Sequence, residues 1–175
     1  MIVNIGECFK SNYLIRQLDR RDEPFLWEML YHALYVPEGL SPFPKEIVRE
    51  PEIARYVDRW GKDGDRGYIA VEKLTLQSVG AAWIRLFTAD QKGYGYVSDD
   101  VPELSIALLP TYRNQGIGSE LLNSAIDNAR GKYPALSLSV SVDNPAVRLY
   151  ERFGFKIVYL EGVSLTMRKE LCPDA

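Results

Sequence analysis

One stretch, ELSIALLPTYRNQGIGSELL over residues 103–122, constrains this chain more than any other. An apolar run with strand character stops at Pro110, a polar turn with two closely spaced glycines follows, and an amphipathic helix opens at once. A helix start leaves about four backbone N–H groups without partners, and with the helix dipole these make an anion site. Gly116 and Gly118 remove side chains where a phosphate would approach, and Arg113 adds positive charge. A diphosphate is the natural ligand. Taken alone, the same glycines would also suit an ordinary helix start.

Three phosphate carriers compete for such a turn. A Walker-type loop needs Gly-Lys-Ser/Thr at its end, but Gly118 is followed by Ser119 and Glu120. A dinucleotide-binding fold places its first glycine directly after the strand, whereas Pro110 to Gln115 intervene here and the third glycine position is Leu121. That fold remains a competitor because the next strand ends at an acid, Asp143. A different diphosphate carrier fits better.

The rest of the chain reads as one domain, with no repeat, low-complexity tract or long linker. A strand over Tyr13 to Gln17 precedes a helix capped by Asp19 and running to about Tyr35. Its apolar residues Leu26, Met29, Leu30, Ala33 and Leu34 follow the helical period, with Trp27, Tyr31 and Tyr35 as a second, aromatic stripe. That stripe is either core packing or the wall of a substrate pocket. A short helix is expected around Lys45 to Arg49, and a longer one from Pro51 to Trp60 stopped by Gly61. Two antiparallel strands follow, near 67–73 and 79–87, and the aspartates before them lack the spacing of a calcium loop. Thr88 to Asp100 reads as an exposed connection.

After the strand at 103–109, the helix from Gly116 buries Ile117, Leu121, Leu122, Ala125, Ile126 and Ala129 on one face. Leu136, Leu138, Val140 and Val142 alternate with Ser137, Ser139 and Ser141, the period of a one-faced strand. A helix from about Pro145 to Phe153 stops at Gly154, and strands near 155–160 and 163–169 close the chain. The expected class is α/β in the broad sense, a mixed sheet flanked by helices.

Composition narrows the function. With 21 Lys and Arg against 24 Asp and Glu, a net charge of −3 argues against a nucleic-acid-coating protein. His32 is the only histidine, which disfavours a histidine-built metal site or a Ser-His-Asp triad. Cys8 and Cys172 stand near opposite ends without ligand-spaced partners, so no metal is expected and free thiols are. The acidic Glu7 and the lack of a long apolar run make the N-terminus unlike a signal peptide, and no segment is long enough to cross a bilayer. The expectation is a cytoplasmic protein.

Two motifs together carry a family resemblance. Arg113-Asn114-Gln115-Gly116-Ile117-Gly118 resembles the Arg/Gln-x-x-Gly-x-Gly/Ala signature of the GNAT superfamily of acetyl-CoA-dependent N-acyltransferases. Asn144-Pro-Ala146-Val-Arg-Leu149-Tyr150-Glu-Arg-Phe153-Gly154-Phe155 is similar to the family's second motif, N-x-A-x-x-L-Y-x-x-x-G-F. The resemblance spans roughly residues 103–156; the first hundred residues carry no residue-specific motif.

The resemblance implies a mostly antiparallel sheet of about six to seven strands with about four helices, splayed open between the strands at 103–109 and 136–142. It implies one N-acetyltransferase domain over 1–175: acceptor-side elements in 1–100, an acetyl-CoA core in 101–156 and C-terminal strands in 157–175. The diphosphate would lie on the backbone of Arg113, Asn114, Gln115, Gly116, Ile117, Gly118 and Ser119, and the pantetheine arm along the backbone of Leu108 and Leu109. Asn144, on local grounds a good helix cap, is assigned to the same arm. Tyr150 is implied as the acid that protonates departing CoA thiolate, although on its helix face it would equally suit core packing.

The other partner of the reaction has the opposite protonation problem. A lysine-like amine is neutral about once in 2,500 molecules at pH 7, which costs roughly 4–5 kcal/mol. Glu103 is the best-placed carboxylate for a base, and Ser105, one side-chain repeat along, could position water instead. A backbone N–H near Leu108 or Leu109 would meet the oxyanion.

The implied reaction is direct transfer from acetyl-CoA to a primary amine on a small molecule or peptide, with no nucleic acid or membrane as partner and a homodimer possible. A non-catalytic acyl-CoA sensor is the alternative. The acceptor pocket is expected among Trp27, Tyr31, Tyr35, Phe43, Trp60, Tyr94 and Tyr96. Residues 1–110 hold 13 Lys/Arg and 17 Asp/Glu, residues 111–175 hold 8 and 7, so the acidic excess lies on the presumed acceptor side.

Overall fold

The computed structural model describes residues 12–171, which leaves Glu7, Cys8 and Cys172 outside the described residues. The strands are β1 Tyr13–Gln17, β2 Arg66–Glu72, β3 Ser78–Arg85, β4 Glu103–Leu108, β5 Ala135–Ser141, β6 Lys156–Glu161 and β7 Ser164–Glu170. The helices are α1 Glu23–Ala33, α2 Pro51–Ala54, α3 Ile117–Ala129 and α4 Ala146–Arg152, with short 3-10 turns between some elements. The seven strands form one sheet in the order β1-β2-β3-β4-β5-β7-β6. Only β4 and β5 pair in parallel, and they share a single registered pair, Glu103 with Ser137. Beyond it the two strands part, which is the opening expected between 103–109 and 136–142.

Side-chain alternation sorts the core onto two faces. Ala82, Ile84 and Leu104 face α3, whose buried stripe is the expected Ile117, Leu121, Leu122, Ala125, Ile126 and Ala129. Ala81, Trp83 and Ala107 face α1, against Leu26, Met29 and Leu30. Glu103 and Ser105 share the parity of Ala107 and therefore belong to the α1 face, a placement that decides Glu103's neighbours.

Four expectations about local structure need correction. Asp19 does make a capping box with Asp22, but it caps a 3-10 turn over Arg20–Asp22, and the α-helix starts only with Pro24 in its first turn. That helix stops at Ala33, because Leu34 turns extended with its N–H on the Tyr31 carbonyl. The segment from Pro51 is a single helical turn to Ala54; the turns that follow put Arg59 at φ +54 before Gly61. Val142 lies outside β5 and is exposed, while Ser137 is wholly buried.

The connection at 88–100 is not simply exposed. Gly95 is buried against the sheet, where a methyl group would stand 2.6–2.9 Å from the backbone of Leu138 and Ser139. The missing side chain lets this loop seat directly on β5, beside the point where β4 and β5 part.

Candidate active site

The turn after β4 is open and pre-shaped. Arg113 to Gly116 are exposed, Asn114 sits at φ +59, and Gly116 at φ +84 stands immediately before α3 with no atom within 4 Å of where a Cβ would be. Gly118 faces the side chains of Leu108 and Leu149 at 3.6 and 4.0 Å, so the end of β4 and the starts of α3 and α4 converge. The Ile117 side chain is buried and Gln115 is committed, donating to the Thr111 carbonyl and accepting from the Tyr13 hydroxyl. What Asn114 to Ser119 can offer an anion is backbone N–H, whereas the Arg113 N–H is donated to the Pro110 carbonyl. The Arg113 guanidinium rests 3.4 Å from the His32 carbonyl, at the mouth of the same turn. Exposed amides, a dipole end and open space above Gly116 fit a diphosphate.

Along β4, Leu108 and Leu109 differ. Leu109 donates its N–H to the Val79 carbonyl and accepts at its own carbonyl from the Tyr112 N–H. It is not available as an oxyanion donor or pantetheine partner. By strand alternation, the Leu108 amide points away from β3, toward the opening beside β5. Of the two, only Leu108 has an N–H directed at the opening.

Asn144 and Tyr150 lie on the far side of the opening. The Asn144 Oδ1 accepts from the Ala146 N–H at 2.9 Å, a cap that leaves its amide nitrogen for a ligand. Tyr150 is buried in the α3–α4 core, with Phe155 edge-on at 6.1 Å, and burial pushes its phenol up to about 12. Among the described residues its hydroxyl makes no hydrogen bond, and a phenol with that pKa stays protonated as a donor.

Glu103 occupies a closed niche at the other end of β4. It is 3% exposed, and its Oε1 accepts from the Tyr56 hydroxyl at 2.7 Å and the Gly95 N–H at 2.9 Å. Among the described residues its Oε2 has no partner. Burial raises the carboxyl to about 7 against the opposing pull of those two hydrogen bonds. Burial also pushes the Tyr56 phenol well above its ordinary value, with Glu103 adding to the shift, so Tyr56 remains a donor to Glu103 while accepting from the Tyr94 N–H. Tyr94 stacks over Tyr56, and Phe87 meets it edge-on at 5.0 Å. A methyl group at Gly93 would collide with Oε2 and lie 2.7 Å from the Tyr56 hydroxyl. The Ser137 hydroxyl, on the residue registered with Glu103, is likewise buried without a partner among the described residues.

Sequence reasoning missed Tyr56 and what holds it. Arg85 and Asp65 form a buried ion pair at 2.6 Å, and the other arm of Arg85 donates to the Arg55 and Asp58 carbonyls. The Trp83 indole donates to the Tyr56 carbonyl between them. Three carbonyls within residues 55–58 are thus pinned from β3. The glycine doublet at 93 and 95 was the available signal that something packs closely there.

The aromatic stripe on α1 is largely occupied. Arg49 covers the Trp27 ring at 4.1 Å, the Tyr31 hydroxyl donates to the Phe43 carbonyl and the Tyr35 hydroxyl to the Asp143 carbonyl. Trp60 is buried beneath Arg85. The aromatic group that touches Glu103 is Tyr56, flanked by Phe87 and by Tyr94, of which only Tyr94 was among the expected pocket residues. His32 is half-buried, its imidazole lowered chiefly by burial, and its ring packs edge-on to Tyr31. Among the described residues no group of three or more His, Cys, Asp or Glu could hold a metal, and no helix is long and apolar enough to cross a membrane.

Residues 15–155, most of the chain, match the acetyltransferase (GNAT) family. The chain belongs to that family. A candidate [ribosomal protein bS18]-alanine N-acetyltransferase of Bacillus subtilis (strain 168) is 41% identical over 66 residues, which are 37% of this GNAT chain and 44% of that relative. The match therefore spans less than half of either protein. Among solved structures, a candidate acetyltransferase from Salmonella typhimurium, yncA, determined with its cofactor acetyl-CoA, superposes with a TM-score of 0.64 at 20% identity, covering 94% of this chain and 99% of its own. The spermidine/spermine N-acetyltransferase SpeG of Vibrio cholerae, solved in mutant forms, gives 0.58 at 19% identity, covering 93% and 95%. These neighbours share the seven-stranded GNAT fold.

Proposed function

We propose that the protein transfers an acetyl group from acetyl-CoA to a primary amine, directly within a ternary complex. The observation that carries this reading is the parting of β4 from β5 after one registered pair, with the unpaired start of α3 at its open end. Bound acetyl-CoA would supply the acyl group as a thioester. The backbone from Asn114 to Ser119 holds the diphosphate with the Arg113 guanidinium beside it, since the Arg113 N–H is spent on Pro110, and the Leu108 N–H, with the Asn144 amide, lines the arm's path.

Glu103 serves as the base. Five residues of strand separate it from Leu108, about 16 Å, so the amine's proton reaches it through water or past Ser105 rather than at Leu108. A carboxylate at about 7 is half-ionised near neutral pH, where a base works best. Tyr150 acts on the leaving group. Complete proton transfer from a phenol near 12 to a thiolate near ~8.5 would be uphill by roughly 5 kcal/mol, so its contribution begins as a hydrogen bond to the departing sulfur.

The acceptor is an amine on a small molecule or peptide. The Bacillus relative is named for alanine on a ribosomal protein and the Vibrio neighbour for spermidine and spermine, and both names denote acetylation at nitrogen. The acidic excess of the first 110 residues suits a cationic acceptor. A cytoplasmic location is the setting in which both substrates would meet.

Calorimetry with CoA, followed by thiol release across a panel of amines, tests the proposal. CoA binding with turnover of at least one amine is expected. Binding with no turnover on any amine would replace the enzyme by an acyl-CoA sensor, and affinity for NAD(P)H in place of CoA would overturn both. Tyr150→Phe should cut kcat by about 10²–10⁴ with little change in CoA affinity; normal turnover would reduce Tyr150 to packing.

A further inference from the structure

Glu103 has two carboxyl oxygens, and only one of them is free to take a proton. Oε1 already accepts from the Tyr56 hydroxyl at 2.7 Å and the Gly95 N–H at 2.9 Å. Burial keeps the Tyr56 phenol protonated and an amide N–H does not ionise, so both stay donors and Oε1 stays an acceptor. A proton taken up by this carboxylate therefore arrives at Oε2. That oxygen is buried and makes no hydrogen bond among the described residues. On its loop side stands Gly93, where even a methyl group would collide with it.

On its sheet side stands Ser137, the one residue of β5 registered with β4. Leu136, Leu138 and Val140 face the α3 core, so Ser137 shares the opposite face of the sheet with Glu103. Its hydroxyl is wholly buried and, among the described residues, also lacks a hydrogen bond. Neighbouring strands lie about 4.8 Å apart. A hydroxyl and a carboxyl oxygen on adjacent residues, each unsatisfied, complete one another directly or through a single water. The charged groups of the adjoining strands are engaged elsewhere: Arg85, registered with Glu103 on β3, pairs with Asp65 at 2.6 Å, and Arg168, registered with Ser137 on β7, stands 2.9 Å from Glu170. The Tyr94 N–H goes to Tyr56. From Ser137 the hydroxyls continue toward the opening. The alternation SLSVS puts Ser139 and Ser141 on the same face, half-buried where Ser137 is sealed. Ser139 shares a hydrogen bond with Ser164 at 2.9 Å, and Gly95 roofs its backbone.

We propose that Ser137 is the positioning residue through which Glu103 receives its proton, its hydroxyl holding Oε2 toward the serine face of β5 along which that proton enters. The inference rests on Glu103 as the base. The amine nitrogen forms the C–N bond as it loses a proton to the nearest oxygen on this face, and the C–S bond breaks with its electron pair on the CoA sulfur. Each hydroxyl or water oxygen on the way accepts one proton and gives up another, so Ser137 ends as a hydroxyl and Glu103 as a carboxylic acid. Returning the proton to solvent along the same face resets the carboxylate.

The test is Ser137→Ala, read in two ways. Carbon-13 titration of the Glu103 carboxyl in the cofactor-free protein, its resonance assigned by its loss in Glu103→Gln, reports the hydrogen bond without turnover. The pH profile of kcat/KM reports the proton's path. Removing a donor from the ionised carboxyl should raise its pKa by about one unit and move the acid limb upward by the same amount. Turnover should fall about tenfold to a hundredfold with the Kd for CoA unchanged. Ser137→Cys fills the same space with a weak donor and should follow alanine; a cysteine variant that behaves as serine overturns the role of the hydroxyl. An unmoved carboxyl titration in folded Ser137→Ala overturns the hydrogen bond, and a moved titration with unchanged turnover overturns the path. A loss equal at every pH makes Ser137 a packing residue. A larger loss in Ser105→Ala than in Ser137→Ala puts the path on β4 instead. Failure of the base reads differently: full turnover in Glu103→Gln removes the base and the path with it, whatever the titration shows.

Discussion

The turn at 113–119 and the niche around Glu103 lie at opposite ends of β4 and are built by opposite means. The turn is continuous in sequence, exposed, and offers backbone groups that any side chains could carry, provided Gly116 keeps its left-handed conformation and the space above it stays open. The niche is assembled from Tyr56, Phe87, Gly93, Gly95 and Glu103, is almost sealed from solvent, and depends on particular atoms. One binds through geometry that water can reach. The other shifts a pKa by excluding water. Damage to the turn should therefore appear as lost cofactor affinity, and damage to the niche as lost turnover and an altered pH profile.

Glu103→Gln tests that division hardest. Turnover should fall by about 10²–10⁴ while the calorimetric Kd for CoA stays near that of the unmodified protein; a comparable loss of CoA affinity would show that the two ends of β4 are not separable. The same substitution has a stability consequence with a definite sign. Between about 4.5 and 7 the folded carboxyl keeps a proton that the unfolded chain releases. Stability consequently declines as pH rises through that window and levels off above it, by up to about 3 kcal/mol. Glutamine does not ionise, so melting curves should show the variant gaining on the unmodified protein from pH 4.5 to 7 and holding that gain at pH 8. A gap that is the same at pH 4.5 and pH 8 would mean the niche does not hold Glu103 neutral.

Gly116→Asp should act in the reverse sense. It places a carboxylate where the diphosphate belongs and forces an L side chain to φ +84. Affinity for CoA should drop about a hundredfold, worth ~3 kcal/mol, and turnover at saturating cofactor should change far less. No atom lies within 4 Å of the new Cβ, so the cost to the fold is confined to the backbone strain of an L residue at φ +84. Unchanged affinity in a folded variant would remove the diphosphate from this turn.

The same contrast explains what could be read in the chain itself. Strand, turn and helix at 103–129 are neighbours in sequence, and periodicity named all six residues that α3 buries. The glycines of the turn are chemically specific for the same reason. Glu103 was legible as a carboxylate at a strand start, but its environment was not, because Tyr56 lies 47 residues away and reaches it through turns that the helical pattern from Pro51 to Trp60 concealed. Those turns hold because Arg85 and Trp83 bind their carbonyls from another strand, a tertiary effect that local propensity does not encode. Leu109 shows the converse. Its position beside the opening was read correctly, yet its N–H is spent on Val79, which only the sheet register reveals.

Tyr56→Phe gives the smallest effect and the most specific one. Its hydroxyl donates to Glu103 and lowers that carboxyl against the larger effect of burial. Removing the donor should move Glu103 further up, by about one pH unit for a hydrogen bond to a charged group. A base must be deprotonated to act, so the acid limb of the kcat/KM profile should move to higher pH, with activity reduced near neutrality and recovered in alkali. Phenylalanine also leaves the Tyr94 N–H without its acceptor, which should cost about 1–3 kcal/mol of stability. A purely structural role for Tyr56 would lower activity equally at every pH. Recovery at high pH separates the two, because it requires that the carboxylate, once formed, still works without its tyrosine.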